Sequence, residues 1–355
     1  MMQNISEIAF EEVSGRDGNL GLITLTRQQV LNALNQKMIN ALDQQLAEWE
    51  MANHIKAVVI RAAEGRAFCA GGDVRSVYER KLENDPKLTE FFRDEYRLNR
   101  RIHNYPKPYI ALINGIAMGG GVGISVHASH RIATDRLLFA MPETGIGFYP
   151  DVGTTYVLSR LPHKIGYYLG LSGARISLSD CAAAGLIDYF VKAEQFPELI
   201  YALADTPFEN DERATVTQVI KKFSVPMENS TLLHQSEIIE KCFSEKTVEK
   251  IIHALNHHSN SWCKEVATQL ETKSPTSLKV TLHALQKAAE LDFNEAIQME
   301  FRLTSHFLEG NDFFEGIRAV LVDKDQSPHW QPATLAEVTT TIVKKYFVPL
   351  EMELI

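Results

Sequence analysis

The run Ala117-Met118-Gly119-Gly120-Gly121-Val122-Gly123 constrains this chain more than any other stretch. It follows an apolar, strand-like segment, Tyr109 to Ile113, and leads into a helix-like one, Ile124 to Ala128. Glycines at a strand-to-helix turn leave backbone N–H groups without intrahelical partners, and the missing side chains let a ligand approach them. The same glycines also serve a tight turn and close helix packing, with no ligand involved. A second turn of this kind shifts the balance. After the strand-like Lys56 to Ala62 comes Phe68-Cys69-Ala70-Gly71-Gly72-Asp73, again small residues before a polar helix start. Two such turns suggest a pair of N–H donors around one negatively charged oxygen, an oxyanion hole.

The order of elements is α/β. Leu22 to Thr26 reads as a strand, and Val30 to Trp49 as an amphipathic helix with Leu31, Leu34, Met38, Leu42 and Leu46 at steps of three and four. Strand and helix then alternate, with Arg131 to Thr134 as a further short strand, up to about residue 190. Beyond it the segments are helical: Ala214 to Phe223, Gln235 to Cys242, Thr247 to Asn256, Trp262 to Glu271, Ser277 to Glu290, Ala296 to Leu308 and Phe313 to Leu321. With 355 residues the chain exceeds what one core comfortably organises, so the expected division is a core over 1–200 and a helical C-terminal region over 201–355.

Three acids stand out. On the stripe Leu88, Phe91, Leu98, Ile102, the position between Phe91 and Leu98 is Glu95. A carboxylate on an apolar face pairs with a base, reaches solvent at the helix edge, or lines a polar pocket; periodicity favours the first two. Glu143 and Asp151 lie eight residues apart in a segment rich in proline and glycine, Phe139 to Gly153. Such a loop suits catalytic groups, although both acids also suit helix capping, Asp151 before Val152 to Tyr156 in particular.

Several classes are excluded. The net charge is −9, from 36 basic and 45 acidic residues, and the bases form no stripe, which argues against nucleic acid. Cys69, Cys181, Cys242 and Cys263 show no paired spacing and fit reduced thiols. No apolar run is long enough for a membrane span, and the acidic start Met1 to Val13 resembles neither signal nor transit peptide, so a soluble cytoplasmic protein is expected. His253 and His257 have helix spacing but no HExxH glutamate, so no metal site is expected. There is no phosphate loop, no strand-linked GxGxxG and no nucleophile elbow.

Phe68 to Asp73 together with Met118 to Gly121 resembles the two oxyanion-hole segments of the crotonase (enoyl-CoA hydratase/isomerase) superfamily, in order and spacing. The likeness is to the hydrolase branch that acts on 3-hydroxyisobutyryl-CoA. It is carried by Phe92 to Asn99, Met118 to Ser125, Met141 to Thr144 with Tyr149 to Gly153, Ser274 to Thr281, Asp312 to Ala319 and Ser327 to Trp330. What the resemblance implies is a crotonase-like spiral of ββα units with a helical C-terminal region, and an acyl-CoA thioester as substrate. It implies no cofactor beyond the CoA of that substrate. It also implies Ala70 and Gly120 as N–H donors, with Gly72 in the same substrate-binding turn. Glu143 is then nucleophile or general base, Asp151 its partner in proton transfer, and Glu95 the acceptor for a 3-hydroxyl group.

Two departures from the superfamily pattern matter. Arg27 is followed by Gln28 rather than proline, and Gly123 stands where a hydratase would carry its second glutamate. Hydrolysis is therefore expected over hydration. The alternatives are a double-bond isomerase, for which Glu143 alone would suffice, and an acyl-CoA-binding protein without chemistry. C-terminal helices in this superfamily often make trimer contacts, which implies a homo-oligomer; the alternative is that the longer helical tail here folds back on its own active site. The breakdown of valine is the pathway implied.

Overall fold

In the computed structural model the described residues are 7–208, 211–227 and 229–354, so the first six residues of the acidic start lie outside them. β1 (Ile8–Ser14) and β2 (Asn19–Leu25) form an antiparallel hairpin, with Ile8 opposite Leu25 and Ser14 opposite Asn19. α1 (Gln36–Met51) returns the chain to β3 (Ile55–Ala62), parallel to β2. From there β4 (Ala67–Cys69), β5 (Tyr109–Ile113), β6 (Ile116–Met118), β7 (His130–Ala133), β8 (Leu138–Ala140) and β9 (Tyr189–Phe190) follow. The six-stranded sheet has the order β1-β2-β3-β5-β7-β9, and the three-stranded sheet the order β4-β6-β8. Successive strands from β3 onward thus alternate between two sheets, which is the expected spiral.

The parallel strands are apolar along their length because both faces are covered. Leu20, Leu22, Val59, Leu112 and Ile132 pack with Phe196, Leu199 and Leu203 of the helix Phe196–Ala204 and with Val216 and Ile220 of the helix Glu212–Phe223. These two helices begin near residue 200 and belong with the sheet. The compact units accordingly do not follow a single cut there. Of the described residues, those within 1–72, 97–139 and 176–231 make up one unit, and those within 73–96, 140–175 and 232–355 the other. All four cysteines are buried and none forms a disulfide among the described residues, in which no helix is long and apolar enough to cross a membrane.

Two helices begin later, or elsewhere, than their apolar spacing predicts. α1 starts at Gln36, where the Asn35 side chain accepts from Met38 N at 2.9 Å, and the preceding Leu31 and Asn32 have positive φ. That corner is needed locally: Asn32 Nδ2 donates to the carbonyls of Ala67 and Phe68. After β6 the helix comprises the glycines themselves, Gly120–Gly123, while Ile124 to Ala128 continue as turns.

Candidate active site

In the sheet-bearing unit the two glycine turns meet. A Cβ at Gly121 would lie 2.1 Å from Cys69 O, and one at Gly71, where φ is +119°, would lie 3.7 Å from Gly120 N. Glycine is therefore required for the turns to touch, whatever else they do. The donor assignment differs from the expected one. Ala70 N–H donates to Leu31 O at 3.0 Å and is used in fastening the turn, so Ala70 is corrected as an oxyanion donor. Gly72 and Gly120 N–H, by contrast, donate to no group among the described residues.

The three acids lie in the other unit, with α2 (Val74–Leu82) and the start of α3 (Glu90–His103). Glu95 is buried on the same stripe as Leu88, Phe91, Leu98 and Ile102. It neither meets a base nor reaches solvent, and Glu95 Oε1 has no hydrogen-bond partner among the described residues. Neither of the two readings that periodicity favours is therefore observed. Glu143 opens the short turn Glu143–Ile146, is buried, and likewise leaves Oε2 unpartnered. Asp151 is buried and accepts from Tyr96 OH at 2.7 Å on Oδ2. It does not cap a helix with its side chain: α4 (Gly120–Gly123) is followed by α5 (Thr154–Ser159), whose N-cap is Gly153.

The loop carrying Glu143 and Asp151 rests on the C-terminal motifs. Ser274 N donates to Thr144 O at 3.3 Å, and Ser274 Oγ donates to Asp312 Oδ2 at 2.6 Å. Phe148 stacks on Phe313 with ring centroids 4.4 Å apart. Backbone approach is so close that a Cβ at Gly147 would lie 2.1 Å from Asp312 O, and one at Gly316 2.3 Å from Ile146 C.

The three carboxyls titrate differently. Burial and the Asp151 charge push Glu95 well above the usual carboxylate range. Burial, then Asp151, then Glu95 do the same to Glu143. Burial raises Asp151 as well, but the Tyr96 hydroxyl opposes it and the group reaches only about 7. Three like charges in one dry site are unfavourable, and Asp151, which accepts from a side-chain hydroxyl, is the one that keeps its charge most readily.

Sequence reasoning missed Tyr96, Tyr149, Thr304 and Glu300. Glu300 is wholly buried on the helix Phe293–Glu309, and burial lifts it to about 8. It accepts from Gly153 N at 2.6 Å, Thr155 N at 3.0 Å and Thr155 Oγ1 at 2.6 Å, and so caps α5 from a distance in sequence. The signal was the one that exposed Glu95: an acid on a stripe with Phe293, Ile297, Thr304 and Phe307. Among the described residues no cluster of His, Cys, Asp or Glu could hold a metal ion.

With this spiral of strands, its paired glycine turns and its buried acids, the chain belongs to the enoyl-CoA hydratase/isomerase family, whose model matches residues 20–347. Among curated relatives it is 42% identical over 349 residues to the mitochondrial 3-hydroxyisobutyryl-CoA hydrolase of Danio rerio, covering 98% of this chain and 90% of the relative. To the mitochondrial 3-hydroxyisobutyryl-CoA hydrolase of Homo sapiens it is 41% identical, covering 98% and 91%. Among solved structures, a carnitinyl-CoA dehydratase from Mycobacterium thermoresistibile superposes with a TM-score of 0.90 at 37% identity, covering 99% of this chain and 98% of that one. An enoyl-CoA hydratase from Rhodobacter sphaeroides gives 0.86 at 34% identity, covering 97% and 98%. The hydrolases are mitochondrial by name, so the cytoplasmic expectation gains no support from them.

Proposed function

We propose that this chain hydrolyses the thioester of 3-hydroxyisobutyryl-CoA to the free hydroxy acid and CoA. The observation that carries the reading is the buried group of Glu95, Glu143 and Asp151, in which Glu143 Oε2 has no hydrogen-bond partner among the described residues. Gly123 supports hydrolysis over hydration, because the second carboxylate a hydratase needs is replaced by a hydrogen atom. The 42% identity to a hydrolase of that substrate over nearly the whole chain points the same way.

In this mechanism Gly72 and Gly120 N–H receive the thioester oxygen as it becomes negative, in place of the pair Ala70 and Gly120. Glu143 supplies the new C–O bond, directly as nucleophile or by deprotonating water. A protonated Glu143 must first give up its proton, and Asp151, ionised and near enough to raise Glu143, is the acceptor. The C–S bond then breaks, and the proton returns to the departing thiolate; on the nucleophile route water then cleaves the acyl–Glu143 anhydride, which releases the hydroxy acid and restores Glu143. Glu95, with Oε1 unpartnered, meets the 3-hydroxyl group. No cofactor beyond the CoA of the substrate takes part, and the setting implied by the family resemblance is valine breakdown.

The test is thiol release from 3-hydroxyisobutyryl-CoA by the intact protein and by Glu143→Gln. The intact protein is expected to release CoA, and the variant to bind the thioester in calorimetry while losing about 10²-fold or more in kcat. A variant that keeps its rate removes Glu143 from the chemistry.

A further inference from the structure

Among the described residues the Asp151 carboxyl accepts from one hydroxyl, and that hydroxyl belongs to a buried cluster. Tyr96 OH, which donates to Asp151 Oδ2, lies 2.5 Å from Thr304 Oγ1 and 3.5 Å from Tyr149 OH. Thr304 Oγ1 is 2.8 Å from Tyr149 OH, and Tyr149 OH donates to Glu300 O at 2.5 Å. Three hydroxyls hold three protons. Tyr96 spends its proton on Asp151 and Tyr149 on the Glu300 carbonyl, so the shortest remaining contact is made by Thr304 donating to Tyr96. The hydrogen bonds then run in one direction, Thr304 to Tyr96 to Asp151, and each polarises the next.

The same helix fixes the backbone on the far side of Asp151. Glu300 holds Gly153 N and Thr155 through its carboxyl group, while Thr154 N and Thr154 Oγ1 donate to Asp151 O at 2.9 and 2.6 Å. Tyr96, Tyr149, Thr304 and Glu300 are all wholly buried.

We propose that Tyr96 is the positioning residue for Asp151, its hydroxyl aimed by Thr304 on the helix that also carries Glu300, so that Asp151 carries the negative charge in the substrate-free protein while Glu95 and Glu143 carry protons. The groups facing Asp151 are Glu95 and Tyr96 from α3, Glu143 and Tyr149 from its own loop, and Glu300 from the helix Phe293–Glu309. No ion pair among the described residues includes any of the acids in this set, and of Glu95, Glu143 and Asp151 it is Asp151 that accepts from a side-chain hydroxyl. Removing a donor to a carboxylate raises its pKa. A rate that needs ionised Asp151 then fails at a higher pH.

The proposal rests on the hydrolase reading, and two measurements separate the failure of one from the failure of the other. In Tyr96→Phe, kcat for 3-hydroxyisobutyryl-CoA should fall about tenfold with KM within about twofold, and the acid limb of the kcat profile should move up by about one to two pH units, the worth of one hydrogen bond to a charged acceptor. In the substrate-free protein, infrared titration of the buried carboxyl stretch, assigned by its loss in Asp151→Asn, should show the same upward move in Tyr96→Phe. An intact protein without thioesterase activity defeats the hydrolase reading and leaves the infrared titration to decide the role of Tyr96. An unshifted Asp151 titration in a folded Tyr96→Phe protein overturns the proposal. Should that variant not fold by circular dichroism, Thr304→Val decides: a smaller upward move supports the chain of hydroxyls, and an unchanged titration overturns it.

Discussion

Asp151 binds its proton more tightly in the folded chain than in the unfolded one, because burial lifts it from 3.8 to about 7. Its contribution to stability therefore falls as pH rises from about 4 to about 7, and stays low above that. Asp151→Asn keeps the shape and an acceptor for Tyr96 without the charge. It should stabilise the protein at pH 8 by on the order of 2–4 kcal/mol, with a smaller gain at pH 5, while hydrolysis falls about 10²-fold or more. Thermal denaturation followed by circular dichroism checks the first part, and an unchanged Tm at pH 8 would show that the folded chain bears no cost from this carboxylate. Glu95 offers a second test at this scale. Glu95→Ala should slow turnover of a 3-hydroxyacyl-CoA more than that of the acyl-CoA lacking the hydroxyl; equal losses would make Glu95 structural.

Elements were legible in the sequence where one residue pattern sufficed, and obscure where a contact with distant backbone decided. The strand Tyr109–Ile113 and the stripe of α3 follow from apolar spacing alone. The end of the chain's last long helical pattern, Phe313 to Leu321, divides into Asp312–Ile317 and a wider turn over Arg318–Val322, where Arg318 gathers Glu315, Asp323 and Asp325. Likewise the glycine turns were legible as a site, but not which N–H remained unbonded, since that depends on Leu31 O opposite Ala70. The turns also supply a test. Gly121→Ala places a methyl group 2.1 Å from Cys69 O, a backbone atom, and should cost about 3 kcal/mol or more in denaturant unfolding. Gly185→Ala has positive φ but nothing within 4 Å and should cost only about 1–2 kcal/mol. Equal costs would mean that the β4 and α4 turns are not pressed together.

At the scale of the whole molecule, the sheet-bearing unit carries the N–H groups of Gly72 and Gly120, and the other unit, taken by itself, carries Glu95, Glu143 and Asp151. Glu143 and Asp151 were legible because they share one loop. Their support was not, because Tyr96 and Thr304 are 208 residues apart and neither type of residue marks itself out on a helix. In the hydrolase reading Gly123 stands where the family resemblance puts a hydratase's second glutamate, and Glu95, Glu143 and Asp151 are all buried. The most direct test of the hydrolase reading gives the purified protein 3-hydroxyisobutyryl-CoA and crotonyl-CoA in parallel, following free thiol and enoyl absorbance. Rapid thiol release from the hydroxyacyl thioester, with the enoyl absorbance of crotonyl-CoA unchanged, is the predicted result. Loss of enoyl absorbance without free thiol, and no release from 3-hydroxyisobutyryl-CoA, would contradict it.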